Sequence, residues 1–257
     1  MQDRVIYEQP LNERVRTFMR LEFLFRQCRH YLRGDSVWNS RAALTTLLDI
    51  LNIISGKTDL KTEILKELER HTSYLADLEE NPDVDRERLE DILDDLDNLI
   101  DKLHDVSGQI GQSLKGHEFL SNIRQRSTIP GGSCDFDIPA YHYWLEQPAK
   151  RRMSDLKSWL DELVIVEQSL DLIMHLIRHS TLPKKLEAES GFFQATLDSN
   201  NPCQLVRVAL PRSSTLFPEI SGGKHRITIR FMEQPEMEGR PVQSKQSVAF
   251  ELTCCAI

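Results

Sequence analysis

The segment HRITIRFM, His225 to Met232, sets Ile227, Ile229 and Phe231 against Arg226, Thr228 and Arg230 in strict alternation. A period of two places the apolar side chains on one face of an extended chain, which predicts a strand buried on one side and wet on the other. Residues 192–197, 204–210 and 247–253 carry strand signatures of the same kind, and Pro218, Ser221, Gly222 and Gly223 punctuate them. Upstream of Gly191 the period lengthens to that of a helix. Leu156, Trp159, Leu160, Leu163, Leu170, Ile173, Met174 and Ile177 recur at helical steps, predicting one long helix capped by Ser154.

Earlier segments are helical as well. Leu11, Val15, Phe18, Leu21, Phe25, Cys28 and Leu32 form one stripe. A second helix is predicted from Ser40 as N-cap, carrying Leu44, Leu47, Leu48, Leu51 and Ile54 and ending near Gly56. A third begins at Thr58 or Asp59, and after the break at Asn81, Pro82 and Asp83 a fourth carries Leu89, Ile92, Leu93, Leu96, Leu99, Ile100 and Leu103. One helix is expected from Leu114 to Arg126, stopped by the turn at Ile129, Pro130, Gly131 and Gly132, and a short one over 140–147. Val5 to Tyr7, ahead of Pro10, predicts a strand. The expected fold is therefore α+β: a helical domain over 11–190 packed against a C-terminal antiparallel β domain over 191–257, which the strand at 4–8 is placed to join.

At 257 residues and 40% apolar content the chain can bury a substantial core. No uncharged apolar run reaches about 18 residues, and the first residues lack the apolar stretch of a signal peptide, so a cytoplasmic protein that neither leaves the cell nor spans a membrane is expected. Five cysteines at 28, 134, 203, 254 and 255 lack C-x-x-C spacing, which argues against a disulfide framework or a cysteine zinc site. The net charge of −8 is uneven. Residues 59–101 hold 16 acidic and 5 basic side chains, a local −11 that leaves the remainder at +3.

Signatures of chemistry are sparse. The phosphate-cradling and nucleophile-elbow glycine motifs are absent, and Ser221-Gly222-Gly223-Lys224 lacks the spacing to wrap a phosphate chain. His175 and His179 share a helix face, but Leu176 stands where a zinc protease motif places glutamate, so neither a metal nor another cofactor is expected. Cys134 and His142, with Asp135 and Asp137 nearby, supply the residue types of a cysteine hydrolase, the alternative to an interaction protein without catalytic residues.

Charge is the stronger signal. Arg14, Arg16, Arg20, Arg26, Arg29 and Arg33 face only Glu13 and Glu22 within the first helix, and Arg124, Arg126, His142, Lys150, Arg151 and Arg152 flank the glycine turn. Arginine forks bind carboxylates bidentately, so such a row suits an acidic peptide; salt bridges to the chain's own acidic helices are the competing use. A nucleic-acid-binding module is the third reading, disfavoured because the chain is acidic overall and lacks a basic motif interleaved with aromatics.

Four strings carry a resemblance: LNERVRTFMRLEFLF at 11–25, IRQRSTIPGGSCDFDIPAYHYWL at 123–145, LFPEISGGKHRITIRFM at 216–232 and FELTCC at 250–255. In order and spacing they resemble the ZapD family of bacterial cell-division proteins. The resemblance implies a cytoplasmic homodimer at the mid-cell division site that binds the C-terminal tail of FtsZ and bundles its protofilaments, with no membrane or nucleic-acid partner. It also implies a basic tail-binding pocket, to which Arg20 and His142 correspond. Arg16, Lys115, His117, Arg124 and Arg126 are further candidates. Glu118 stands where the family has another pocket arginine, a departure for which Lys115 or His117 is placed to compensate.

Overall fold

A computed structural model describes residues 3–56, 59–82, 84–198, 201–234 and 239–257. Strand β1 (Arg4–Pro10) is followed by helices α1 (Glu13–Tyr31), α2 (Val37–Ile54), α3 (Leu60–Ala76) and α4 (Arg86–Asp105). Short helices α5 (Gln112–Gly116), α6 (Glu118–Arg126) and α7 (Pro139–Leu145) lead into α8 (Ala149–Asp161) and α9 (Val164–His179). Strands β2 (Lys184–Ala188), β3 (Phe192–Thr196), β4 (Leu205–Pro211), β5 (Leu216–Gly222), β6 (Arg226–Glu233), β7 (Val242–Gln243) and β8 (Val248–Cys255) follow. The architecture is α+β. Two compact units make it up, Met1–Arg16 with Met174–Ile257, and Thr17–Ile173.

In the first unit, two antiparallel sheets run β1-β4-β8-β2 and β3-β6-β5, with β7 added to β6. The N-terminal strand does join the sheet, pairing Tyr7 with Val208 on β4. Alternation then dictates the core. Val206, Val208 and Leu210 of β4, Val248, Phe250 and Leu252 of β8, and Ile227, Ile229 and Phe231 of β6 form one buried cluster. Phe231 and Phe250 meet across it with ring centres 5.0 Å apart. On the other face of the first sheet, the carboxylate of Glu8 accepts from Arg178 and Arg207, each at 2.9 Å.

Two longer strands and β7 were not anticipated. β5 contains the residues read as punctuation, yet it pairs with β6 from Leu216↔Glu233 to Gly222↔Ile227. It is an edge strand, the place where a sheet tolerates a proline such as Pro218. β2 is also an edge, and its Lys184, Lys185 and Glu187 obscure the alternation while discouraging further strand pairing.

In the second unit α2 is the most buried helix, enclosing Ala43, Leu44, Leu47, Leu48, Ile50, Leu51 and Ile54. Its N-cap is Ser36 and not Ser40: the Ser36 hydroxyl accepts from Asn39 N at 3.0 Å. Ser40 is buried one turn inside, where its hydroxyl accepts from Arg152 Nε at 3.0 Å. Asp59 caps α3, with its carboxyl held below the ordinary range chiefly by the Thr62 hydroxyl; Thr58 and Asp83 lie outside the described residues. Leu89, Leu96, Leu99 and Leu103 form the buried face of α4.

The helix expected over 114–126 is two helices, because His117 adopts an extended backbone with φ −73° and ψ 111° between α5 and α6. The long C-terminal helix is also two, interrupted at Glu162 and Leu163, and Ser154 sits inside α8 instead of capping it. Leu163 is buried at that break, so periodicity runs through it unaltered. Among the described residues, no helix is long and apolar enough to cross a membrane.

Candidate functional site

The turn after α6 aims the site. Ile129 N and Gly132 N close it onto Arg126 O and Ile129 O at 3.0 and 2.9 Å. Gly131 has φ +74°, and a Cβ on Gly132 would stand 2.5 Å from Arg126 O, so neither position accepts a side chain without strain. The chain then runs through Cys134, whose carbonyl accepts from Asp137 N and Ile138 N, and enters α7 with Pro139 in its first turn. Tyr141, Trp144 and Leu145 face inward. His142 and Tyr143 therefore face out.

His142 Nδ1 lies 3.2 Å from Asp135 Oδ1. The same oxygen lies 3.7 Å from Arg41 Nη2, and Arg41 Nη1 donates to Ser133 O at 3.4 Å. The Arg41 guanidinium also lies 5.2 Å from the Tyr141 ring centre and 5.7 Å from that of Trp38, within cation–π range. Burial pushes the Tyr141 hydroxyl up to about 12, so it stays neutral. Large rings of the same segments meet solvent: Trp38 is 77% exposed, Phe136 84% and Tyr143 65%.

An aromatic chain supports the site from within. Tyr141 stacks with Trp144 at 6.1 Å, Trp144 meets Trp159 at 6.0 Å, and Trp159 meets the His117 ring at 5.6 Å. Phe119 touches all four. An open groove lined by His117, Glu118, Phe119, Asn122, Ile138 and Ala140 follows from this packing. It places the start of α6 beside the start of α7.

The structure thus brings His117 and Glu118 alongside the segment that carries His142. Lys115 donates to Gln109 Oε1 at 3.2 Å, and Arg124 and Arg126 occupy the last turn of α6, where cations complement the helix dipole. Arg20 is exposed on α1, and among the described residues no hydrogen bond or ion pair joins it to the His142 cluster. Arg16 lies 3.3 Å from Glu13, Arg26 3.3 Å from Glu22, and Arg29 is held by Glu167 at 2.6 Å and Asp161 at 3.8 Å. These arginines pair on their own helix or with α8 and α9, not with the acidic face of α4.

One expected member of the basic surface is not on it. Arg152 is 5% exposed and donates to Ser40 Oγ and to the carbonyls of Asp35, Leu145 and Gln147. It is a structural tie. Among the described residues no hydrogen bond links the Cys134 thiol to His142, whose partner is Asp135, and no group of three or more potential ligands stands ready for a metal. His175 and His179 do stack, 4.2 Å apart. Sequence reasoning missed Arg41 and Trp38; its signal would have been a tryptophan and an arginine three apart in the first turns of a helix.

Over residues 19–230 the chain matches the family described as ZapD, cell division protein. A Methylococcus capsulatus protein named Cell division protein ZapD is 42% identical over 257 residues, which is 100% of both chains. Proteins of the same name from Coxiella burnetii and an Azoarcus species are 39% and 38% identical, covering 98% of this chain and 98% and 100% of theirs.

Proposed function

Because this chain belongs to the ZapD family of cell division proteins, we propose that it is a non-enzymatic division factor that binds the C-terminal tail of FtsZ and, as a homodimer, crosslinks FtsZ protofilaments at mid-cell. The observation that carries this reading is end-to-end similarity to proteins named for cell division. The chemistry supports it. Exposed Arg20 and His142, with Tyr143 and Phe136 exposed on the segment that carries His142, suit a peptide that combines carboxylates with apolar side chains. Lys115 and His117 offer basic groups beside Glu118, where the family pattern has arginine.

The test is titration of a labelled FtsZ tail peptide. Arg20→Ala and His142→Ala should each weaken binding by about 10- to 150-fold, the range of a charge-assisted hydrogen bond. Wild-type affinity should also fall as salt rises. Unchanged affinity in both folded variants would place the tail elsewhere.

A further inference from the structure

The oxygen Asp135 Oδ1 is approached by two donors from two different helices, His142 Nδ1 at 3.2 Å and Arg41 Nη2 at 3.7 Å. Convergence of an imidazole and a guanidinium on one oxygen is the arrangement a ligand carboxylate requires. Here the carboxylate comes from the protein itself. Its side chain is 62% exposed, and it sits on a turn whose backbone bonds run between Gly131, Cys134, Asp137 and Ile138 without using it.

We propose that Asp135 is an internal stand-in for the ligand: in the free protein it fills an anion site made by Arg41 and His142, and an acidic peptide binds by displacing it. The proposal rests on the reading of His142 as a tail contact and adds three things to it. Arg41 becomes a second cation of the site, held at its height by Tyr141 beneath and Trp38 beside it. Trp38, whose ring lies 5.7 Å from the Arg41 guanidinium, and Phe136, the residue after Asp135, are both exposed and become the surface for an apolar side chain of the ligand. Asp135 sets specificity: a ligand lacking a carboxylate cannot replace what it removes, so neutral peptides are rejected.

An exposed ion pair is a weak lock, and its weakness makes the arrangement a competitor and not a block. Removing the charge with Asp135→Asn should tighten binding of the FtsZ tail peptide by roughly 1.5- to 5-fold, the span of exposed ion pairs. The gain should shrink at high salt. Arg41→Gln should weaken binding, and Asp135→Asn should gain less in the His142→Ala background than in wild type, because one of the two groups that Asp135 occupies is then absent.

The experiment is fluorescence anisotropy of the labelled peptide with wild type and these four variants at low and high salt, with circular dichroism to verify folding. Tighter binding by D135N, with a smaller gain in the H142A background, establishes the proposal. Equal or weaker binding by D135N, with H142A still defective, overturns it while sparing the tail-contact reading, and identifies Asp135 as a group that orients His142. Loss of any effect of H142A overturns both.

Discussion

His71 shows how one residue tunes the stability of α3. It is fully buried with Glu67, its Nδ1 has no hydrogen-bond partner among the described residues, and Glu67 also receives Arg70. Burial, more than any partner, holds its pKa below the ordinary histidine value. The unfolded chain therefore binds a proton near pH 6.5 that the native state refuses, so stability is present above about pH 6.5 and declines as pH falls through it. Thermal melts between pH 7.5 and 5.5 should show this decline, and His71→Leu should flatten it. Cysteines divide by the same physics. Burial pushes the Cys28 thiol up to about 12, whereas Cys134 is exposed, so alkylation should reach Cys134 before Cys28. On the proposed function, Cys134→Ser should leave FtsZ bundling intact, since His142 is engaged by Asp135; loss of bundling in a folded variant would return attention to thiol chemistry.

At the scale of elements, Arg152 ties the N-terminus of α2 to the α7–α8 connection. Its guanidinium satisfies the carbonyls of Asp35, Leu145 and Gln147 together with the Ser40 hydroxyl. Arg152→Met keeps the bulk and removes every donor, leaving several acceptors without a partner. The expected cost is about 3 kcal/mol, or a fall in melting temperature of roughly 6–12 °C, measurable by calorimetry. Arg151, the adjacent residue, is exposed, and Arg151→Met should change the melting temperature little. The contrast matters for testing the proposed function, because on that reading Arg152→Ala would weaken tail binding by loosening α7 and so mimic a pocket residue.

On the proposed function, the whole molecule must supply two tail sites to hold two filaments together. A chain of 29.8 kDa should therefore scatter light as a particle of twice that mass at micromolar concentration. Two sites on one body also raise the effective concentration of the second tail, so bundling should be steeper in protein concentration than peptide binding is. Co-sedimentation with FtsZ filaments should vanish when the FtsZ tail is deleted. A monomer that stays monomeric with FtsZ present would sink the crosslinking reading while leaving tail binding open.

The sequence by itself determined the elements whose buried face repeats along the chain. The alternation of β6 and the leucine stripes of α2 and α4 were legible because periodicity is a local record of which face meets the core. The family was legible too, in strings such as IRQRSTIPGGSCDFDIPAYHYWL. Periodicity cannot register what happens between stripes. It ran through the break at Leu163, since a buried leucine suits a tight turn as well as a helix, and it missed β5 because Pro218 is acceptable only once the strand is known to be an edge. Ser36 and Ser40 are equal as caps on paper; only the packed structure gives one an amide and the other a guanidinium. Likewise Lys150, Arg151 and Arg152 form one basic run in sequence, yet the helix turns the third inward. Arg41, Asp135 and His142 lie on separate segments, and no local pattern encodes their meeting. The reason is general: burial is written residue by residue, but a site is a convergence, and convergence exists only after the chain has folded.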